Sequence, residues 1–155
     1  MSKVALAFSG SLDTAICVYY LRHIKGMKVI SFSANVGQFE NLEPLIIQAM
    51  EQGVFAAHVA DLRKEFASEF IFPALRANAI YEQHYYLSSA LARPLIIREL
   101  VKIAKQEGCE YISHGSRTVG NDWIRFKNCL DYLAPEMKVI LPLQELGLQT
   151  PEDDI

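Results

Sequence analysis

The chain has 155 residues, enough to bury one sizeable core, and its 51% hydrophobic and 21% charged content is that of a globular domain, not a disordered one. Fifteen basic residues against eighteen acidic ones leave a net charge of −3, which argues against a basic stripe that tracks nucleic acid. An anionic ligand must therefore be held by local groups rather than by the overall field.

Residues 3–8 are short and apolar and predict a buried strand. The run is too short for the core of a signal peptide or a membrane span. Residues 13–24 place Ile16, Cys17, Tyr20, Leu21 and Ile24 at helical spacing, and Lys25-Gly26 is the stop. A strand over 28–34 follows, then a helix over 42–52 with Leu42, Leu45, Ile46 and Ala49 on one face, then a strand over 54–59. Residues 61–70 predict a short helix, and 73–82 give no clear pattern. Residues 86–107 read as a long helix that Pro94 should kink or divide. A strand over 110–113, a helix over 122–133 and a last strand over 138–141 complete the chain, with no internal repeat or linker. Cys17, Cys109 and Cys129 lie far apart, without metal-site or disulfide spacing, so reduced thiols in a cytoplasmic protein are expected. No metal ligand set is expected from the scattered histidines.

Strand and helix alternate, so the expected fold is an α/β doubly wound parallel sheet, a Rossmann-like three-layer sandwich forming one nucleotide-binding domain over residues 1–155. Ligands in such folds sit beyond the carboxyl ends of the strands. That rule puts residues 9–14, 34–40 and 114–122 on one rim.

The turn Ser9-Gly10-Ser11-Leu12-Asp13-Thr14 joins a buried strand to a helix start. Helix N-terminal N–H groups and three hydroxyls make it a candidate phosphate site, and Gly10 permits close backbone approach. A plain turn with Ser11 or Asp13 as helix cap fits the same residues. It is not a Walker loop, because the Gly-Lys-Ser/Thr ending is missing.

The same turn resembles the Ser-Gly-Gly-x-Asp-Ser/Thr signature of ATP pyrophosphatases (adenine nucleotide alpha hydrolase-like proteins), and its Leu-Asp-Thr ending resembles the argininosuccinate synthase family. Ala34-Asn35-Val36-Gly37-Gln38, Leu91-Ala92-Arg93-Pro94, His114-Gly115, Gly120-Asn121-Asp122 and Arg125-Phe126 agree with that family, in its order. The resemblance implies ligation of citrulline and aspartate, with ATP and Mg²⁺ consumed to AMP and pyrophosphate. It implies Ala7, Ser9, Gly10, Ser11, Leu12, Asp13 and Thr14 at the ATP phosphates, Ala34 by the adenine, and Gly115 holding the nucleotide. Tyr85, Asn121 and Arg125 would contact citrulline, Asn121 and Asp122 would contact aspartate, and Asp13 and Arg125 would serve catalysis.

Four departures stand out. Ser11 replaces the second Gly of the signature, and would be strained if that position needs φ > 0. Ala90 replaces a Ser that contacts citrulline, Arg117 a Thr that contacts aspartate, and Val119 a Lys. The family also continues into a synthetase domain that this chain does not include. The 155 residues alone are thus expected to lack ligase activity, and to act as an ATP-binding or partner-binding protein. Any partner would be a second copy or a separately encoded synthetase domain, with no nucleic acid and no membrane involved. His114 is expected to pack or cap beneath its loop, and Arg93 to anchor the fold by ion pairing.

Overall fold

The computed structural model describes residues 1–39 and 41–148; Glu40, the last residue of the second rim loop, and the C-terminal stretch 149–155 lie outside the described residues. Five strands, β1 (Lys3–Ala7), β2 (Lys28–Asn35), β3 (Ala56–Asp61), β4 (Tyr111–His114) and β5 (Lys138–Ile140), form one sheet in the order β3-β2-β1-β4-β5. Every pairing is parallel. The order runs outward from β1 in one direction and then reverses to β4. The turns after β1 and β4 therefore diverge, which opens a crevice at the carboxyl end of the central strand.

Both faces of the sheet are covered, as a parallel sheet requires. Ala5, Ile30, Phe32 and Ile112 pack on one face beneath α5 (Ser88–Gln106) and α6 (Asn121–Leu133). Val4, Leu6 and Val29 face the other way, against α1 (Leu12–Tyr19), α2 (Glu43–Glu51) and, through Leu143, the short α7 (Pro142–Glu145). The alternation along β1 sends Val4 and Leu6 one way and Ala5 the other, so both cores are fixed by one strand.

Several elements differ from the pattern read along the chain. The first helix changes after Tyr19 to a π-helical turn, Tyr20–Ile24. The helix expected over 61–70 begins as α3 (Arg63–Glu65), passes through a π-helical stretch, Phe66–Ile71, and continues as α4 (Phe72–Arg76). The third strand starts two residues later than expected, at Ala56. Pro94 does not divide its helix: α5 runs from Ser88 to Gln106 with Pro94 inside it. Burial of Ala92, Leu95, Ile97, Leu100, Val101 and Ala104 supplies the packing that outweighs a proline in the helix. No described helix is long and apolar enough to cross a membrane.

Candidate nucleotide site

The three rim loops converge. A cleft of about 940 Å³ lies at the carboxyl ends of the strands. Its walls include Ser9, Ser11, Asp13 and Thr14 after β1, Ala34 at the end of β2 with Val36 and Gln38 beyond it, and Gly115 through Asp122 (Thr118 excepted) after β4. This is the size of a pocket that encloses a nucleotide-sized molecule.

The first loop is rooted in the sheet. Phe8 N–H donates to the Phe32 carbonyl at 2.8 Å, and Ser33 Oγ donates to the Phe8 carbonyl at 2.7 Å. Beyond Phe8 the hydroxyls of Ser9, Ser11 and Thr14 form a triangle, with Ser9 Oγ 2.9 Å from Ser11 Oγ and each of them 3.5 Å from Thr14 Oγ1. Ser11 is the N-cap residue of α1, yet its hydroxyl makes no capping hydrogen bond. The first turn of α1 thus presents hydroxyls and N–H groups together at the positive end of the helix dipole.

Gly10 has φ +77°, and a Cβ there would lie 2.4 Å from Leu45 Cδ2 and 2.7 Å from Gln48 Oε1. Gln48 Nε2 donates to the Gly10 carbonyl at 3.1 Å. Gly10 is therefore required by the contact of the loop with α2, and not by an opening toward the cleft, whose walls it does not join. Ser11 has φ −73° and ψ 165°, ordinary extended backbone. The strain anticipated for a serine in place of the second glycine is absent, because the positive φ falls on Gly10.

Gly115 sits where the β4 loop passes α1. A Cβ at Gly115 would lie 3.1 Å from Thr14 Cγ2, closer than an ordinary contact, so the loop passes α1 at a distance that a side chain here would have to push apart. His114 is 3% exposed, stacks on Phe126 with ring centroids 4.2 Å apart, and accepts the Ser116 N–H on Nδ1 at 3.2 Å. Burial pushes its pKa down to about 4, against a smaller opposing pull from Asp122. His114 is a neutral packing residue under the loop, as expected.

The charged groups pair in ways the sequence did not display. Arg117, with a side chain only 10% exposed, reaches from the β4–α6 loop to Asp13 on α1: Nη2 and Nε face the two carboxylate oxygens. Asp122 is held between two guanidiniums, Arg93 Nε at 2.8 Å on Oδ2 and Arg125 Nη1 at 2.7 Å on Oδ1. Burial alone would raise the Asp122 carboxyl, but the hydrogen bonds from Arg93 and Arg125 outweigh it and hold it below the usual range. Arg93 thus anchors by ion pairing. Asp122, which the resemblance places against aspartate, has both oxygens engaged by arginines, and Arg125 spends one nitrogen on it.

Ala7, Ser9, Ser11, Asp13, Thr14, Ala34, Gly115, Asn121, Asp122 and Arg125 all line the cleft. Leu12 and Tyr85 do not. Leu12 is 60% exposed at the start of α1, because the helical turn carries it away from the neighbouring Ser11 and Asp13. Tyr85 is 38% exposed and closes a turn on itself, its N–H bonded to the Tyr81 carbonyl at 3.0 Å. Phe32, Leu45 and Ile96 are apolar walls that were not singled out. Leu45 had a signal, since it lies on the apolar face predicted for its helix; Phe32 and Ile96 were only part of apolar stretches whose faces were not assigned.

The family model for the arginosuccinate synthase N-terminal HUP domain matches residues 3–155. Argininosuccinate synthase of Synechococcus sp. (strain CC9311) is 47% identical over 152 residues, which cover 97% of this chain and 38% of that protein. The one from Pelotomaculum thermopropionicum is 43% identical over 155 residues, covering all of this chain and 39% of the relative. The chain therefore spans about two fifths of the length of the curated relatives it matches. A solved structure described as a predicted subunit of tRNA methyltransferase from Methanocaldococcus jannaschii superimposes with a TM-score of 0.62 at 12% identity, over 92% of this chain and 68% of that one, a likeness of fold alone. With its all-parallel Rossmann-like sheet and a match across nearly its whole length, the chain belongs to the argininosuccinate synthase family, by that family's N-terminal HUP domain.

Proposed function

We propose that this chain binds ATP in the rim cleft and represents the nucleotide-binding part of argininosuccinate synthase chemistry, without ligase activity of its own as a 155-residue polypeptide. The observation that carries the reading is the meeting of the hydroxyl triangle of Ser9, Ser11 and Thr14 with the uncapped start of α1, at the crevice between β1 and β4. Such a turn offers N–H donors, hydroxyl donors and a favourable dipole to a phosphate chain. Ala34, Val36, Leu45 and Ile96 supply apolar walls suited to a base.

Charge supports the same reading. Among the described residues the lining holds three arginines and two aspartates and neither lysine nor glutamate, a net positive set on a chain of net charge −3. Among the described residues no group of three or more His, Cys, Asp and Glu gathers to hold a metal. Mg²⁺ would arrive on the phosphates, which is its habit at nucleotide sites, because both Asp13 oxygens are engaged by Arg117. When bound, that ion neutralises charge on the phosphates. The residues of the chain orient the nucleotide and narrow its freedom.

The amino-acid side of the reaction has changed more. Arg117 and Val119 stand on the cleft wall where the resemblance implies a Thr and a Lys, and Asp122 is already held by two arginines. Citrulline and aspartate are the substrates of the whole enzyme; here they would need the remaining length of the relatives to complete their sites. We place the protein in the cytoplasm, where its free thiols fit. Calorimetric titration of the chain with ATP in Mg²⁺ tests the proposal. Saturable heat is expected, and Ser9→Ala/Thr14→Val should weaken it at least tenfold. No heat from the unmodified chain would overturn the reading.

A further inference from the structure

We propose that Arg117 is a specificity-determining residue of the cleft, which allows polyphosphate to bind by cancelling the charge of Asp13. The inference rests on the nucleotide reading above and adds to it the electrostatic reason for which the site accepts an anion.

Asp13 lies in the first turn of α1, one residue before Thr14 and two after Ser11, and its side chain lines the cleft. An isolated carboxylate at that place would repel each phosphate that approached the hydroxyl triangle. It also could not be withdrawn into the core, because burial of an unpaired charge is costly. Arg117 answers both problems. It comes from the opposite side of the crevice, 104 residues away in sequence, and its guanidinium forks onto both carboxylate oxygens. Its side chain is largely shielded from water, so the pairing is not screened as a surface pair would be.

Among the described residues the other charges that line the cleft are Arg93, Asp122 and Arg125, which form a separate cluster with one net positive charge. His114 is neutral and does not alter the sum. The Asp13–Arg117 pair contributes zero to the cleft while it is intact. Removal of Arg117 takes one positive charge from the cleft and leaves the Asp13 carboxylate uncompensated beside the phosphate loop. A unit charge within about 8 Å of the ligand, at an effective dielectric near 20, changes affinity by roughly thirtyfold.

The experiment compares ATP with adenosine, each titrated calorimetrically in Mg²⁺ into the unmodified chain, Arg117→Gln, Arg117→Lys and the double variant Asp13→Asn/Arg117→Gln. Arg117→Gln should weaken ATP about thirtyfold and adenosine less than threefold. Arg117→Lys, which keeps the charge, should stay within about fivefold of the unmodified chain for ATP. The double variant, which removes both charges of the Asp13–Arg117 pair together, should recover most of the ATP affinity, and it keeps the test decisive if Arg117→Gln folds poorly. Equal losses for ATP and adenosine, or a double variant as weak as Arg117→Gln, would overturn the inference while ATP binding by the unmodified chain still stood. No ATP binding by the unmodified chain would overturn both.

Discussion

Gly10→Ala should cost this protein about 2–4 kcal/mol of stability, and the reasons can be separated. At φ +77° an alanine sits in the left-handed region, which costs roughly 1–2 kcal/mol for an L-residue. Its Cβ would also lie 2.4 Å from Leu45 Cδ2 and 2.7 Å from Gln48 Oε1, distances no side chain tolerates. Both neighbours are ends of flexible side chains and can move, so the clash is relieved rather than endured. The relief has its own cost, because Gln48 would release the Gly10 carbonyl, a hydrogen bond worth about 1 kcal/mol, and Leu45 would lose contacts in the core. Gly26→Ala is the control. Gly26 also has a positive φ, +63°, but nothing lies within 4 Å of its Cβ, so only the backbone term applies. Urea denaturation followed by the fluorescence of Trp123, the one tryptophan, measures both variants on one scale. The difference between them isolates the contact with α2, and ATP affinity should fall about tenfold for Gly10→Ala alone. Equal stability of the two variants would show that α2 does not hold the loop in this conformation.

Three further outcomes follow from the same geometry. Folded His114 has a pKa near 4 and the unfolded side chain one near 6.5, so the unfolded chain binds the extra proton between these values. Stability is full above pH 6.5 and falls by about 3 kcal/mol toward pH 4 from this group, a slope that His114→Phe should remove; identical pH profiles for the two proteins would refute it. Ser11→Gly should leave ATP affinity unchanged or slightly weaker, because the residue is extended and unstrained; calorimetry showing tenfold tighter binding would contradict that conformation. The 155-residue chain should release no AMP in a citrulline- and aspartate-dependent manner, and a coupled assay that detects such release would require ligase activity within this domain.

Most of the fold was readable because its causes are local. The apolar run of β1 and the helical spacing after it fix a strand–turn–helix unit, and repetition of that unit leaves a parallel sheet as the way to bury every strand. The rim loops could be grouped for the same reason: when all strands are parallel, every strand-to-helix turn falls on one edge. What escaped the sequence depends on contacts between distant residues. Pro94 signals a break, yet the burial of residues on both sides of it in α5 keeps the helix whole. Tyr85 was placed by resemblance, but its backbone is tied to Tyr81 outside the cleft. The Asp13–Arg117 and Arg93–Asp122 pairings join residues from different elements, whereas Asp122–Arg125 is a local i,i+3 pair on α6; charge alone does not say which carboxylate each guanidinium will choose. A hint was available at Arg117, since an arginine in a rim loop, facing a phosphate turn that carries Asp13, brings a cation to the one unpaired anion there.

The departures from the family are not spread evenly over the cleft, and this bears on how binding and catalysis separate. On the β1 side the single change, Ser11, keeps a hydroxyl in the triangle and an extended backbone, and the glycines at 10 and 115 keep the close contacts that shape the crevice. On the β4 side Arg117 has been drawn into a pair with Asp13, and Val119 presents an apolar side chain that is 74% exposed. The fourth change, Ala90, lies in the first turns of α5 and is not part of the cleft wall. Groups that meet a phosphate are mostly backbone and hydroxyl, and they survive substitution elsewhere. Groups that align two amino acids for attack are side chains, and each lost hydrogen bond to a charged substrate lowers turnover by about one to two powers of ten. A chain altered in this pattern loses alignment long before it loses nucleotide affinity. Restoring Ala90→Ser, Arg117→Thr and Val119→Lys together should therefore leave ligation absent in the isolated domain, and the Arg117→Thr component should weaken ATP binding by exposing Asp13.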